Sequence, residues 1–383
     1  MTRSSIKWLS GIESVLIART CELEAGRAKV AAFDLDGTLI TPKSGRVHAK
    51  DQHDWKWWHT SVPEKIDQLH KDGYKIVIFS NQNGLKSRER KDTFKKKIEA
   101  ILEQLSIPVW ILAAMDKDQY RKPMAGMWDW VEEQANDGVV IDKKESFYVG
   151  DAAGRADGWK PQMKKDHACA DRKFAANIGL PFHTPEAFFL GEAEAAFSWG
   201  SFNPHEYPRT LPLLSSSSSP IVAKGTEVIV FVGYPSSGKS YFAQKYLVSE
   251  GYEYVNQDVL KSRDKCVKAC KAALASNKSV VIDNTNPEAS TRTLYIKLAQ
   301  LAGVPVRCFH FTADEHLSRH NNLYRAIPPS PNGREVLSDI VFRTFKSKFQ
   351  EPHESEGFDE IKKINFVFDG SDIQWQSWKQ WRH

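Results

Sequence analysis

The sequence predicts two α/β domains, each a mainly parallel sheet flanked by helices. Three observations lead there. Apolar, β-branched runs alternate with amphipathic helical patterns in both halves of the chain. A Pro- and Ser-rich stretch, NPHEYPRTLPLLSSSSSPIVAKG, separates the halves and includes the five serines Ser215–Ser219. That composition reads as a linker rather than a core. The length, 383 residues, suits two domains. The expected boundaries are 1–200 for the first domain, 201–224 for the linker and 225–383 for the second domain.

Taken in order, KVAAF is a short buried strand, and VPEKIDQLHKDG is a helix stopped by Gly73. YKIVIFSN is a second strand. SRERKDTFKKKIEAILEQLS is a long helix with Phe94, Ile98, Ile101, Leu102 and Leu105 on one face. VWILAAM and SFYVGDA supply two more strands. After the linker, EVIVFVG is a strand that runs into a Gly-rich turn and the helix KSYFAQKYLVSEG. VVID and VRCFHF are strands, and ASTRTLYIKLAQLAG lies between them as a helix.

Hydrophobic residues make up 41% and charged residues 26%, a globular balance. No apolar run reaches 18 residues, so no membrane-spanning helix is expected. Residues 1–200 carry 30 basic and 29 acidic side chains and residues 201–383 carry 23 and 19, so +1 and +4 make the net +5. This permits a polyanionic partner without requiring one. Five cysteines with no CxxC pair suit a reducing compartment, and Cys266 and Cys270 read as buried thiols rather than metal ligands.

The first chemical signal is AFDLDGTLI, residues 32–40. Residues i and i+2 of a strand share a face, so Asp34 and Asp36 both point past the strand end, where open α/β sheets bind ligands. Two like charges this close need a cation or a shared proton. A magnesium ion with a phosphate meets both demands. Three further pieces follow at strand ends: Ser80 and Asn81 in FSN, Lys122 in RKP, and Asp151 in YVGD. This fourfold arrangement resembles the haloacid dehalogenase phosphatase superfamily. The resemblance implies that Asp34 attacks phosphorus to form an aspartyl-phosphate, and that Asp36 acts as general acid and then base. It also implies that Mg²⁺ sits on the Asp34 and Asp151 carboxylates and the Asp36 carbonyl. Ser80, Asn81 and Lys122 would hold the phosphoryl group. Asp157 reads as a surface or helix-cap residue, and Asp171 as a support of the metal site.

The second signal is GYPSSGKS, residues 233–240, which fits the P-loop pattern between a strand and a helix. Gly233, Pro235, Ser236, Ser237, Gly238, Lys239 and Ser240 are expected to bind the phosphates of ATP. Lys239 would reach the β/γ-phosphates, and Ser240 would ligate Mg²⁺. Asp258 in YVNQD is placed to accept the proton of an attacking hydroxyl, with a helix N-cap as the competing reading. Asp283 in VVIDNTN sits like a Walker B acid, with a turn cap as its alternative. Arg319 and Arg325 flank RHNNLYR beside PPSPNG, a loop that reads as a lid.

Taken together, FDLDGTLI, GYKIVIFSNQNG, YRKPMAGMW, FYVGDAAGR, VGYPSSGKS, VIDNTNP, RHNN and VLSDIVF resemble the eukaryotic bifunctional polynucleotide kinase 3′-phosphatase family across most of the chain. The resemblance implies removal of 3′-phosphates and ATP-dependent phosphorylation of 5′-hydroxyls at DNA strand-break ends. Asp258 matches the family's kinase base, and Arg292 a family arginine near substrate. Gln257, Lys265 and Leu323 depart from arginines of animal members, which bears on the grip on substrate rather than on the chemistry. A short form without the forkhead-associated domain is expected, as are a monomer, other repair proteins as partners, and a nuclear location with a mitochondrial fraction left open. An RNA-end healer with the same chemistry is the alternative.

Two features read mainly as structure. KSRERKDTFKKK holds seven basic residues, either as a phosphate contact or as a solvated helix face. The tryptophans at 55, 57 and 58 and at 375, 378 and 381 are expected to pack rather than to stack on bases.

Overall fold

The structure is a computed structural model that describes residues 6–20, 24–47, 49–200, 202–215, 219–327 and 335–383. The chain divides into two compact units, Met1–His205 with Lys379–His383, and Glu206–Trp378.

The first unit begins with a hairpin of β1 (Ile6–Leu9) and β2 (Val15–Thr20). The apolar run KVAAF forms β3 (Lys29–Phe33), buried on both faces. After a small hairpin of β4 (Ile40–Thr41) and β5 (Lys56–Trp57) comes α1 (Val62–Lys71), which buries Val62, Ile66 and Leu69 at helical spacing. The next elements are β6 (Tyr74–Asn81), α2 (Arg88–Leu102), β7 (Val109–Ala114), α3 (Gly126–Gln134) and β8 (Phe147–Val149). The unit closes with α4 (Ala170–Ile178), β9 (Phe182–His183) and α5 (Pro185–Leu190).

Its sheet runs β1-β2-β7-β6-β3-β8-β9. The strands from β7 to β9 are parallel, and the N-terminal hairpin adds antiparallel at the β7 edge. Strand β3 therefore lies between β6 and β8, so the three chain ends that carry Asp34, Ser80 and Asp151 emerge side by side. One core cluster packs α1 and α2 on one face of this sheet, and a second packs α3 and α4 on the other.

The second unit holds β10 (Val228–Val232), α6 (Lys239–Tyr246), β11 (Glu253–Val255), α7 (Gln257–Leu260), α8 (Arg263–Ala275) and β12 (Val280–Ile282). It continues through α9 (Ala289–Ala302), β13 (Val306–Phe311), α10 (Glu315–Ala326), α11 (Asp339–Lys348), β14 (Glu360–Ile364) and α12 (Asp372–Trp378). All pairings in its sheet, β11-β12-β10-β13-β14, are parallel. Cys266 and Cys270 are fully buried in its core, as expected of structural thiols.

The stretch expected as a linker is tied down along much of its length. Tyr207 donates its hydroxyl to the Phe366 carbonyl at 2.7 Å, and the Ser215 amide donates to the Lys363 carbonyl. Leu213, Leu214, Ile221 and Val222 pack on the second core. These four apolar residues offset the polar serines, of which 216–218 lie outside the described residues.

The tryptophans pack. Trp55 is buried and meets Trp57 edge-on. Trp375 and Trp378 stack on each other, Trp378 stacks on Phe366, and both meet Phe368 at a tilt, while Trp381 stacks on Trp199.

Candidate active sites

The first site lies beyond the carboxyl ends of β3, β6 and β8. The Asp34 amide donates to the Val149 carbonyl at 2.8 Å, fixing the end of β3 against β8. At Gly37, φ is +86° and a Cβ would lie 2.5 Å from Asp151 Oδ2, so the turn after Asp36 admits only glycine without displacement.

Lys122 is the hub. Its ammonium, buried to 3% exposure, donates to Asp34 Oδ1 at 2.6 Å, Asp171 Oδ1 at 2.7 Å, the Tyr148 hydroxyl at 2.9 Å and the Phe79 carbonyl at 2.9 Å. Burial opposes its charge, yet Asp171 and Asp34 outweigh that and raise its pKa. Burial pushes the Asp34 carboxyl up to about 7, against the pull of Lys122 and with the repulsion of Asp171 and Asp36 added. Asp151 is driven well above the usual carboxylate range by burial, Asp34 and Asp171.

Asp34, Asp151 and Asp171 bring carboxylate oxygens within 4.8 Å of one another, so this group can hold a metal ion. Three acids face one buried ammonium, an excess of negative charge that a divalent cation with oxygen ligands would neutralise. Asp171 is the least available as a ligand. Its Oδ1 takes Lys122 and the Tyr148 hydroxyl, and its Oδ2 takes the Ala152 amide at 3.0 Å. It supports the site, chiefly by holding Lys122.

Ser80 is 1% exposed at the end of β6, and its hydroxyl accepts from Gln82 Nε2 at 2.8 Å. Asn81 follows at the strand end. Its amide donates to the Lys122 carbonyl and accepts from the Lys122 amide, both at 3.0 Å. The side chain thus holds the Lys122 backbone and keeps a second Nδ2 hydrogen that these two bonds do not use. Asp157 is a surface residue that accepts from the Lys165 amide.

The second site lies at the carboxyl ends of β10, β11 and β12. The P-loop turns through positive φ at Gly233, Ser236 and Gly238, and α6 starts at Lys239. The amides of Ser236 to Ser240 therefore lie at a helix N-terminus, where anions are stabilised. Lys239 folds back on its own loop, donating to the carbonyls of Gly233 and Tyr234 and to the Ser237 hydroxyl. Burial lowers its pKa to about 8, with Asp283 opposing and Arg325 adding to the shift. The charge of Arg325 is thus felt at the P-loop, and its guanidinium donates to Asn322 Oδ1.

Asp283 is buried just past β12, and its Oδ2 accepts from the Tyr254 hydroxyl at 2.6 Å and Asn256 Nδ2 at 3.2 Å. Asp258 is exposed on α7. The N-cap there is Asn256, whose Oδ1 accepts the amides of Asp258 and Val259, so the cap reading of Asp258 does not hold. Among the described residues the Asp258 carboxylate makes no hydrogen bond.

Arg292 differs from expectation. Arg292 is fully buried, bidentate to Glu356, and donates as well to the carbonyls of Asn286, Pro287 and Gln350. All three nitrogens are engaged, so it ties α9 to the segment before β14 instead of facing substrate. Arg319, half-buried, pairs with Glu315 and Asp339. The expected PPSPNG lid, 328–333, lies outside the described residues.

Sequence reasoning missed Tyr148, Gln82, Lys97 and Tyr254. Lys97 carried a signal. It lies three residues after Phe94 and four before Ile101, inside the apolar stripe of α2, where a lysine is out of place.

Comparison with known proteins accords with this layout. Residues 29–189 match a family described as polynucleotide kinase 3 phosphatase, and residues 228–352 match one described as an AAA domain. A bifunctional polynucleotide phosphatase/kinase of Schizosaccharomyces pombe is 45% identical over 365 residues, which span 94% of this chain and 85% of that one. A protein of Acanthamoeba polyphaga mimivirus, described as a bifunctional polynucleotide phosphatase/kinase, is 32% identical and spans 92% of this chain and 88% of its own. A polynucleotide 3′-phosphatase of Saccharomyces cerevisiae is 28% identical, over 42% of this chain and 87% of its own length.

Proposed function

The chain belongs to the bifunctional polynucleotide phosphatase/kinase family, and from that membership we propose that it heals DNA strand breaks at both termini. The first unit removes a 3′-phosphate, and the second transfers the γ-phosphoryl group of ATP to a 5′-hydroxyl. One observation carries the reading. A single chain presents two separate groups of acid and lysine side chains, each at the carboxyl ends of its own parallel sheet. Ligation and gap filling need a 3′-hydroxyl and a 5′-phosphate, so the two reactions serve different ends of one break.

In the first unit, an Asp34 carboxylate oxygen attacks phosphorus while the bond to the 3′-oxygen breaks. Asp36 gives that oxygen its proton, which leaves a 3′-hydroxyl. Asp36 then takes a proton from water as the water oxygen attacks phosphorus, and inorganic phosphate leaves Asp34. Ser80 and Lys122 hold the phosphoryl oxygens, and Asp171 with Tyr148 holds Lys122. In the second unit, Lys239 moves from its loop carbonyls to the β/γ-phosphates. Asp258 takes the proton of the 5′-hydroxyl, and Arg325 offsets charge on the transferred group. Asp34, Asp151 and the Asp36 carbonyl in one unit, and Ser240 and Asp283 in the other, would hold Mg²⁺, which when bound would supply positive charge beside the phosphoryl oxygens.

The test is a nicked DNA duplex with a 3′-phosphate and a 5′-hydroxyl, incubated with ATP and Mg²⁺ beside a matched RNA nick. The reading expects conversion of both DNA termini, faster than on RNA. Dephosphorylation without phosphorylation would assign the P-loop unit to another hydroxyl substrate.

A further inference from the structure

Asp36 is the exposed member of the first site, its side chain 48% accessible, and it sits on a turn rather than in a strand. A carboxylate so placed can rotate about its own bonds. Yet both of its oxygens are held. Lys97 Nζ lies 3.2 Å from Oδ1, and Gln82 Nε2 donates to Oδ2 at 2.6 Å. Neither donor is casual. Lys97 is only 10% exposed, and the sole acid within ion-pair distance among the described residues is Asp36. A buried ammonium on the apolar stripe of α2 costs desolvation that an alkyl side chain would avoid. Gln82 is anchored by its own amide, which donates to the Ala114 carbonyl at 2.7 Å, and its Nε2 also reaches the Ser80 hydroxyl. It thus joins the side that holds the phosphoryl group to the side that serves the leaving oxygen.

We propose that Lys97 and Gln82 are positioning residues that grip Asp36, one at each oxygen, and aim it at the leaving oxygen and then at the attacking water. The inference rests on the phosphatase reading of the first unit. Lysine offers only donors, so it fixes Oδ1. A glutamine amide has a donor and an acceptor end, and by turning over it can face Asp36 with or without its proton. Loss of either grip lets the carboxylate rotate away without touching the nucleophile or its cation. Displacements of about 1 Å cost catalysis about 100-fold.

The experiment compares the full chain with Lys97→Met, Gln82→Leu and Lys97→Arg on two substrates. A 3′-phosphorylated oligonucleotide loses an alkoxide that needs a proton, whereas 4-nitrophenyl phosphate loses a phenolate that does not. For Lys97→Met and Gln82→Leu, kcat on the oligonucleotide is expected to fall about 10- to 100-fold with KM nearly unchanged. On 4-nitrophenyl phosphate both variants should give a burst of about one nitrophenolate per enzyme and then a slow phase, because only the water step has lost its base. Lys97→Arg should recover part of the loss. Equal slowing on both substrates without a burst would make the two residues merely structural and overturn the inference. A raised KM with unchanged kcat would overturn it too, by placing Lys97 on the phosphate. If the wild-type chain leaves the oligonucleotide untouched, the substrate reading falls, while the burst still decides the positioning role.

Discussion

The two candidate sites each set a buried lysine near acids, but in opposite ways. In the first unit Lys122 is already gripped by Asp34, Asp171 and Tyr148. In the second, Lys239 rests on carbonyls of its own loop, and Asp258 stands exposed. The first lysine is therefore part of the fold's charge balance, and the second is parked until a polyphosphate arrives. The lesson is that a buried cation paired to acids makes catalysis and stability inseparable, while a cation resting on dipoles leaves them separable.

The sharpest break of that contrast is Lys122→Met. It leaves Asp34, Asp151 and Asp171 without their ammonium, so it should cost about 3–5 kcal/mol of stability and abolish dephosphorylation. Thermal and chemical denaturation of the first unit would register the loss, and phosphorylation by the second unit should persist. Arg292→Leu is expected to cost a similar amount, about 3–5 kcal/mol, because Glu356 is left unpaired. The signature is a lowered melting point of the second unit with little change in KM for the 5′-hydroxyl end. A KM effect without a stability loss would return Arg292 to the substrate.

Asp258→Asn tests the other side of the comparison. Phosphorylation should slow about 10²–10⁴-fold while stability stays within about 0.5 kcal/mol, since among the described residues the exposed carboxylate supports no hydrogen bond. A marked loss of stability would make Asp258 a structural residue after all. The smallest effect is expected of Asn81→Ala, about 1–3 kcal/mol, from the two Lys122 backbone groups it leaves unpaired. Dephosphorylation should weaken in parallel, as Lys122 loses its backbone anchor.

Much of this was legible in the sequence, and the failures share a cause. KVAAF, YKIVIFSN and EVIVFVG announce themselves as strands because β-branched runs bounded by turn residues suit little else. The face Phe94, Ile98, Ile101 and Leu102 of α2 follows from helical spacing, and all four are buried. The N-terminal hairpin was not read, because four residues of β1 carry too little pattern to stand out. The partners of Asn81 and Arg292 escaped notice for a different reason. Asn81 bonds a backbone 41 residues away and Arg292 an acid 64 residues away, and no local pattern records such partners. Lys97 was hidden among neighbouring lysines, although its position in the apolar stripe set it apart.

The central claim is that one chain carries two separable phosphoryl-transfer sites. Its most direct test follows both termini of a nicked DNA duplex with well-folded Asp34→Asn and Lys239→Ala proteins, under ATP and Mg²⁺. The account predicts that Asp34→Asn leaves the 3′-phosphate in place while the 5′-end is phosphorylated, and that Lys239→Ala does the reverse. Loss of both reactions in either protein would contradict it.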